Sequence, residues 1–224
     1  MLSLRSTDQG VKTWDLPVRL FHWALVLLVI AQLASASIGG NAMEYHALGG
    51  YSILALIVFR ILWGFFGGTH ARFRDFVRGP GAVIRYAKSL FGSQHTTHRG
   101  HNPLGGWSVL AMLASLLLQA GTGLFANDDV MMEGPLAKHV SGRVSEIATA
   151  IHDVNAAILL TLIAIHIVAV LFYLMAKKEN LIVPMITGRK RATGADQPAR
   201  HGSLGLGAAL LACGAAAVYL LIRI

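Results

Sequence analysis

The stretch Glu146-Ile-Ala-Thr-Ala-Ile-His152-Asp-Val-Asn-Ala-Ala-Ile-Leu-Leu-Thr-Leu-Ile-Ala-Ile-His166-Ile-Val-Ala-Val-Leu171 decides how the chain folds. Beyond Glu146 its only ionisable residues are His152, Asp153 and His166, and the rest is long and apolar enough for a bilayer core, which needs about 20 residues. The two histidines are 14 residues apart, so a helix separates them by roughly 21 Å and returns them to nearly the same face. An imidazole inside a membrane span is costly to bury and is usually functional.

Working outward, the whole composition agrees. Of 224 residues 54% are hydrophobic, only 13% are charged, and 24 are glycine, which is not the make-up of a soluble domain. Spans are predicted at about Leu16 to Ile38, Tyr45 to Phe66 (interrupted by Arg60), Leu104 to Ala126, Glu146 to Ala176 and Ser203 to Ile222. Trp14 and Trp23 suit an interfacial belt. Pro80 to Phe91 mixes apolar and basic residues behind a helix-starting proline, predicting a short helix on the membrane surface. No cleavable signal peptide is expected, because the first apolar run is long enough to span. No internal repeat is legible.

The net charge of +8 does not point to nucleic acid, because lysine and arginine cluster between spans. Fifteen lie in the N-terminal segment, after span two and after span four. The other side has only Lys138 and Arg143, against Asp128, Asp129, Glu133, Glu146 and Asp153. The positive-inside rule then predicts a cytoplasmic N-terminus and a periplasmic C-terminus. The expected organisation is a cytoplasmic segment 1–13, a four-helix domain 14–187, a flexible cytoplasmic linker 188–202 and an added helix 203–224.

That topology gives the histidines depths. His22 lies two turns inside the cytoplasmic end of span one, His46 at the outer end of span two, His152 near the outer surface and His166 deeper. Depth pairs His46 with His152 and His22 with His166. Imidazole pairs fill both axial positions of haem iron, leaving no vacant site for oxygen and so one-electron transfer as the chemistry. The lone Cys213 offers no covalent attachment motif, so two haems would be held non-covalently, as b-type. Solvation near a helix end is the plain alternative for His46 and His152, and a headgroup contact for His22. His166, deep in an aliphatic run, has no such explanation.

Arg60, fourteen residues after His46, is a candidate partner for a haem propionate, and Arg19 is another, although each also suits an inner-surface anchor. Gly49, Gly50, Gly121 and Gly123 would let a flat ring approach a backbone, or let helices pack closely. His70 and His101 flank the inner ends of spans two and three, where a quinone headgroup would need donors. His95 and His98 read as solvated, His139 and His201 as structural or solvent-facing.

Val11-Lys-Thr-Trp-Asp-Leu-Pro-Val-Arg-Leu-Phe-His-Trp23 resembles the first-helix signature of the bacterial cytochrome b561 and nickel-hydrogenase cytochrome b superfamily. Glu44-Tyr-His-Ala-Leu-Gly-Gly-Tyr51, Phe59-Arg-Ile-Leu-Trp-Gly64, Gly100-His-Asn-Pro-Leu-Gly-Gly-Trp107, Ile151-His-Asp153 and Leu181-Ile-Val-Pro-Met-Ile-Thr-Gly188 are similar in order and spacing. The resemblance covers about residues 11–190. It implies an all-α membrane bundle of four helices with two b haems on His22, His46, His152 and His166, and exchange with quinone. A fifth span departs from that pattern.

The expected function is electron transfer across a bacterial inner membrane, between a periplasmic partner (a hydrogenase, another dehydrogenase or a c-type cytochrome) and the quinone pool. Two alternatives stand beside it. One is a superoxide:quinone oxidoreductase, which would want a positively charged outer pocket. The other is a non-redox anchor subunit whose histidines bind nothing, or copper or zinc. A reduced-minus-oxidised spectrum separates them: the expected result is sharp low-spin b-type bands at two haems per chain, and a colourless protein rejects it.

Overall fold

The computed structural model describes residues 10–90, 100–128, 132–190 and 199–224. Five of its helices are long and apolar enough to cross a membrane: α1 (Leu16–Ile38), α2 (Ala42–Phe66), α5 (Pro103–Gly123), α6 (Gly142–Met175) and α8 (Leu204–Leu221). Between them lie α3 (Phe73–Phe76), α4 (Pro80–Ser89) and α7 (Ile182–Thr187). Two short antiparallel strands, β1 (Val11–Lys12) and β2 (Arg189–Lys190), complete the described chain.

Side-chain caps start α1, α5 and α8. Asp15 caps α1, accepting from the Val18 amide at 3.1 Å, with Pro17 in the first turn. Asn102 caps α5 through the Gly105 amide at 2.7 Å, with Pro103 leading the helix. Gly39 and Gly40 both hold positive φ, 66° and 54°, which stops α1 and turns the chain straight into α2. That turn is why α2 begins at Ala42, a turn before the apolar run that predicts it. α5 ends at Gly123, three residues early, because Leu124 and Ala126 bond the returning chain at Leu136 and Gly134.

α1 packs on α2, α5 on α6, and α2 on α5. Ile53, Ile57, Leu116 and Leu159 form the mid-bundle core, with Leu25, Leu28, Val29 and Ile163 packed against them. Residues such as Leu27, Ile30, Val154 and Ile165 instead face outward, as expected of a bundle whose solvent is lipid. At roughly 51 Å, α6 exceeds the hydrocarbon thickness and extends beyond it.

The added helix is bound into the bundle. α8 lies along α2, where a Cβ on Gly214 would sit a tight 3.0 Å from the Ala55 carbonyl oxygen, so glycine eases that approach. Its leader is pinned as well, with the Thr69 amide donating to the Arg200 carbonyl at 2.9 Å and the Arg200 amide donating to Thr69 Oγ1 at 3.1 Å. At the other end of the expected linker, β2 pairs with β1, and the Thr13 amide donates to the Gly188 carbonyl at 2.8 Å. Both ends of segment 188–202 are therefore fastened, a difference from a free linker that arises because backbone donors and acceptors near apolar surface need partners. Residues 191–198, residues 1–9 of the N-terminal segment, and His95 and His98 lie outside the described residues.

One carboxylate joins these parts. Asp15 Oδ2 accepts from Trp63 Nε1 at 3.2 Å and from the Gly68 amide at 3.3 Å, while Oδ1 caps α1. Trp63 is fully buried, in one cluster with Val18, Phe21 and Phe59. Asp15→Ala removes a helix cap and leaves a buried indole N–H unpaired. It is expected to cost about 1–3 kcal/mol, read as a lowered Tm in detergent. An unchanged Tm would remove Asp15 from this role.

Candidate functional site

The structure brings His46 on α2 and His152 on α6 together across the bundle. Their ring centroids are 6.3 Å apart and their planes make 71°. His46 Nδ1 is 3.2 Å from the Gln32 carbonyl oxygen and 3.4 Å from Ser35 Oγ. His152 Nδ1 is 2.9 Å from the Gln119 carbonyl oxygen and 3.3 Å from Thr122 Oγ1. A carbonyl can only accept, so each Nδ1 carries the hydrogen. In a neutral imidazole that leaves Nε2 with its lone pair.

Both rings line one cavity of about 360 Å³, with Met43, Gly50, Gly123 and Met132 also in its wall. Gly123 leaves room there, since a Cβ would come to a tight 3.1 Å from His152 Cε1. Gly121 has open space beside it, and Gly49 abuts the Gln32 side chain. Among the described residues, the carboxylates lining this cavity are Asp128, Glu133 and Asp153.

His22 and His166 lie nearer the lysine- and arginine-rich end. Their imidazoles are within electrostatic reach of each other. His22 packs edge-on to Trp23, at 5.0 Å between centroids. Its Nδ1 is buried with no hydrogen-bond partner among the described residues.

A second cluster sits beyond them at the same end. His101 is held between Trp14, at 4.7 Å, and Phe76, at 4.6 Å, and His70 is edge-on to Trp14 at 6.4 Å. Arg60 is 3% exposed, lies over the Phe73 and Phe76 rings, and has Nη1 buried without a hydrogen-bond partner among the described residues. Asp15 is the anion in its electrostatic reach. Arg19 instead bonds through Nη1 to the Ile186 carbonyl, tying α1 to α7, while its Nε is buried unpaired. His139 belongs to a short 3-10 turn on the opposite loop, and His201 borders the Asp15 junction.

Sequence reasoning missed Gln32, Ser35, Gln119, Thr122 and Asn155. Asn155 Nδ2 donates to the Ser115 carbonyl at 2.9 Å and to Gln119 Oε1 at 2.7 Å, and its Oδ1 accepts from Ser115 Oγ at 3.0 Å. A signal existed, because polar residues inside predicted spans need partners. The sequence offered no way to say which partners. Tyr86 and Tyr173 form a further buried pair, 2.8 Å between hydroxyls, docking α4 onto α6.

Five helices of membrane-spanning length in an all-helical bundle define a class, a multi-pass membrane protein, and the His46–His152 pair lies inside that bundle. The prokaryotic cytochrome b561 family matches residues 13–188, and the chain belongs to it. That family comprises membrane dihaem cytochromes b, four-helix haem-binding bundles involved in electron transfer. No curated protein and no solved structure matches the chain. The match ends at residue 188, before α8.

Burial pushes the His101 imidazole down to about 3, with repulsion from Arg60, His70 and His166 adding to it. His101 is therefore neutral at pH 7 in the folded protein, while an unfolded chain takes up that proton near pH 6.5. Stability is expected to fall as pH drops from 6.5 toward 3, and His101→Asn is expected to flatten that slope. Thermal melts in detergent across the pH range measure both; identical slopes would contradict the assignment.

Proposed function

We propose that this chain is a dihaem b-type cytochrome of a bacterial inner membrane, moving electrons between a periplasmic redox partner and quinone. The observation that carries the proposal is the His46–His152 geometry. Two imidazoles bound in line to one metal, at about 2.0 Å each, have centroids roughly 6 Å apart, close to the spacing found here. Metal-bound histidine also donates its other N–H to a carbonyl, as both rings do. The glycine-lined wall fits a flat ring beside them. Haem iron, when bound, supplies a one-electron couple.

In this reading His46 and His152 ligate one iron, and His22 and His166 the other. The closeness of His166 to His22 supports the second pair. Roughly 21 Å of α6 separates His152 from His166, which makes the helix a rigid spacer between two electron stations. Arg60, with a buried Nη1 that lacks a partner, suits a haem propionate, and the unpaired Nε of Arg19 suits the same role less directly. A neutral His101 between Trp14 and Phe76, with His70 nearby, suits a quinone headgroup, because aromatic walls hold the ring and imidazole N–H groups meet its carbonyls.

The positive-inside rule turns the basic end, with both the N-terminus and the quinone site, toward the cytoplasm, and the C-terminus toward the periplasm. The carboxylate-lined His46–His152 cavity disfavours superoxide, an anion, as substrate. Integration of the paired imidazoles into the bundle likewise weighs against a purely anchoring role.

His166→Ala and His152→Ala are each expected to lower haem content from two per chain to one and to stop electron flow to quinone. His95→Ala is expected to leave both intact. Pyridine haemochrome assays against protein concentration measure the content, and equal values in all three variants would overturn the ligand assignment.

A further inference from the structure

Two helices that share no recognisable sequence repeat carry the same small device. In α1 it is Gln32-x-x-Ser35, and in α5 it is Gln119-x-x-Thr122. Ser35 Oγ donates to the Ala31 carbonyl at 2.8 Å and lies 3.1 Å from the Gln32 carbonyl. Thr122 Oγ1 donates to the Leu118 carbonyl at 2.7 Å and lies 3.1 Å from the Gln119 carbonyl. A hydroxyl has one proton, and here it goes to a carbonyl of its own helix. Toward the neighbouring histidine each hydroxyl is left with lone pairs only. His46 Nδ1 thus meets two acceptors, the Gln32 carbonyl and Ser35 Oγ, and His152 Nδ1 meets the Gln119 carbonyl and Thr122 Oγ1.

We propose that Ser35 and Thr122 are positioning residues for the His46–His152 centre, each taking a share of its imidazole's Nδ1–H. The proposal rests on the ligation reading above. Its physical content is twofold. Histidine χ2 is a soft torsion, and a second acceptor on the same N–H holds each ring plane, hence the 71° between them. Sharing the Nδ1 hydrogen also leaves more electron density on Nε2, which makes a stronger donor and favours the oxidised metal. On the α5 side the cradle is braced from behind, because Asn155 bonds both the Gln119 side chain and Ser115, fixing α5 against α6. The Gln32 side chain has no such brace, and its Oε1 is buried without a partner.

The test uses the dihaem holoprotein in detergent. Thr122→Val keeps the shape and removes the hydroxyl. It is expected to retain two haems per chain, to shift the midpoint potential of one haem upward, and to move that haem's low-spin ferric resonance, which reports the angle between ligand planes. The other haem is the internal control and stays unchanged. Thr122→Ser is expected to restore both properties. His152→Ala, run in parallel, identifies the haem concerned: if it still binds two haems, the ligation reading fails and this proposal with it. If His152→Ala loses one haem while Thr122→Val leaves both potentials and both resonances unaltered, ligation stands and the positioning role is overturned. Should Thr122→Val lose haem outright, Ser35→Ala carries the same measurement from the opposite ligand, where a shift confined to the same haem supports the proposal and no shift refutes it.

Discussion

A half-buried imidazole between apolar helices is oriented by the acceptor that takes its N–H. His46 and His152 reach across to the backbone carbonyls of Gln32 on α1 and Gln119 on α5. Those two bonds choose the tautomer and turn both Nε2 lone pairs away from the carbonyls, toward the remaining polar opportunity in the cavity. The helix pairs α1–α2 and α5–α6 are the two halves of that arrangement, and the cavity is the space they leave between them.

The opposite end of the bundle follows a different rule. There the aromatic rings of Trp14, Trp63, Phe73 and Phe76 surround charged and titratable groups, and Asp15 ties three segments through one carboxylate. Arg60 is enclosed by that shell with one amino group unpaired. Leaving a guanidinium N–H unpaired in a low-dielectric setting is costly, so the position favours an anion. A stiff, aromatic, partly unsatisfied end and a glycine-lined, carboxylate-rimmed end give the molecule two chemically distinct faces.

The fifth helix changes what the family core presents. α8 lies against α2 with Gly214 close to the Ala55 carbonyl and Gly207 close to Pro17 and Trp63. Its leader reaches Thr69, beside the Asp15 junction, so the addition is coupled to the same hydrogen-bond centre that organises α1 and α2.

Much was legible from residues alone. The five spans could be read because apolar run length is a property of the chain itself, whereas helix ends shifted: α2 starts early behind Gly39 and Gly40, α5 stops early where the chain turns back at Leu124 and Ala126, and α6 starts four residues early at Gly142. The 14-residue spacing of His152 and His166 set one shared face without any tertiary knowledge, since a helix has a fixed rise and rotation. What residues alone could not choose were partners across helices: Gln119 for His152, 33 positions away, Ser115 for Asn155, 40 away, and Trp63 for Asp15, 48 away. Hydrogen-bond partners at such separations depend on which helix faces meet and at what height, and only packing in three dimensions decides that.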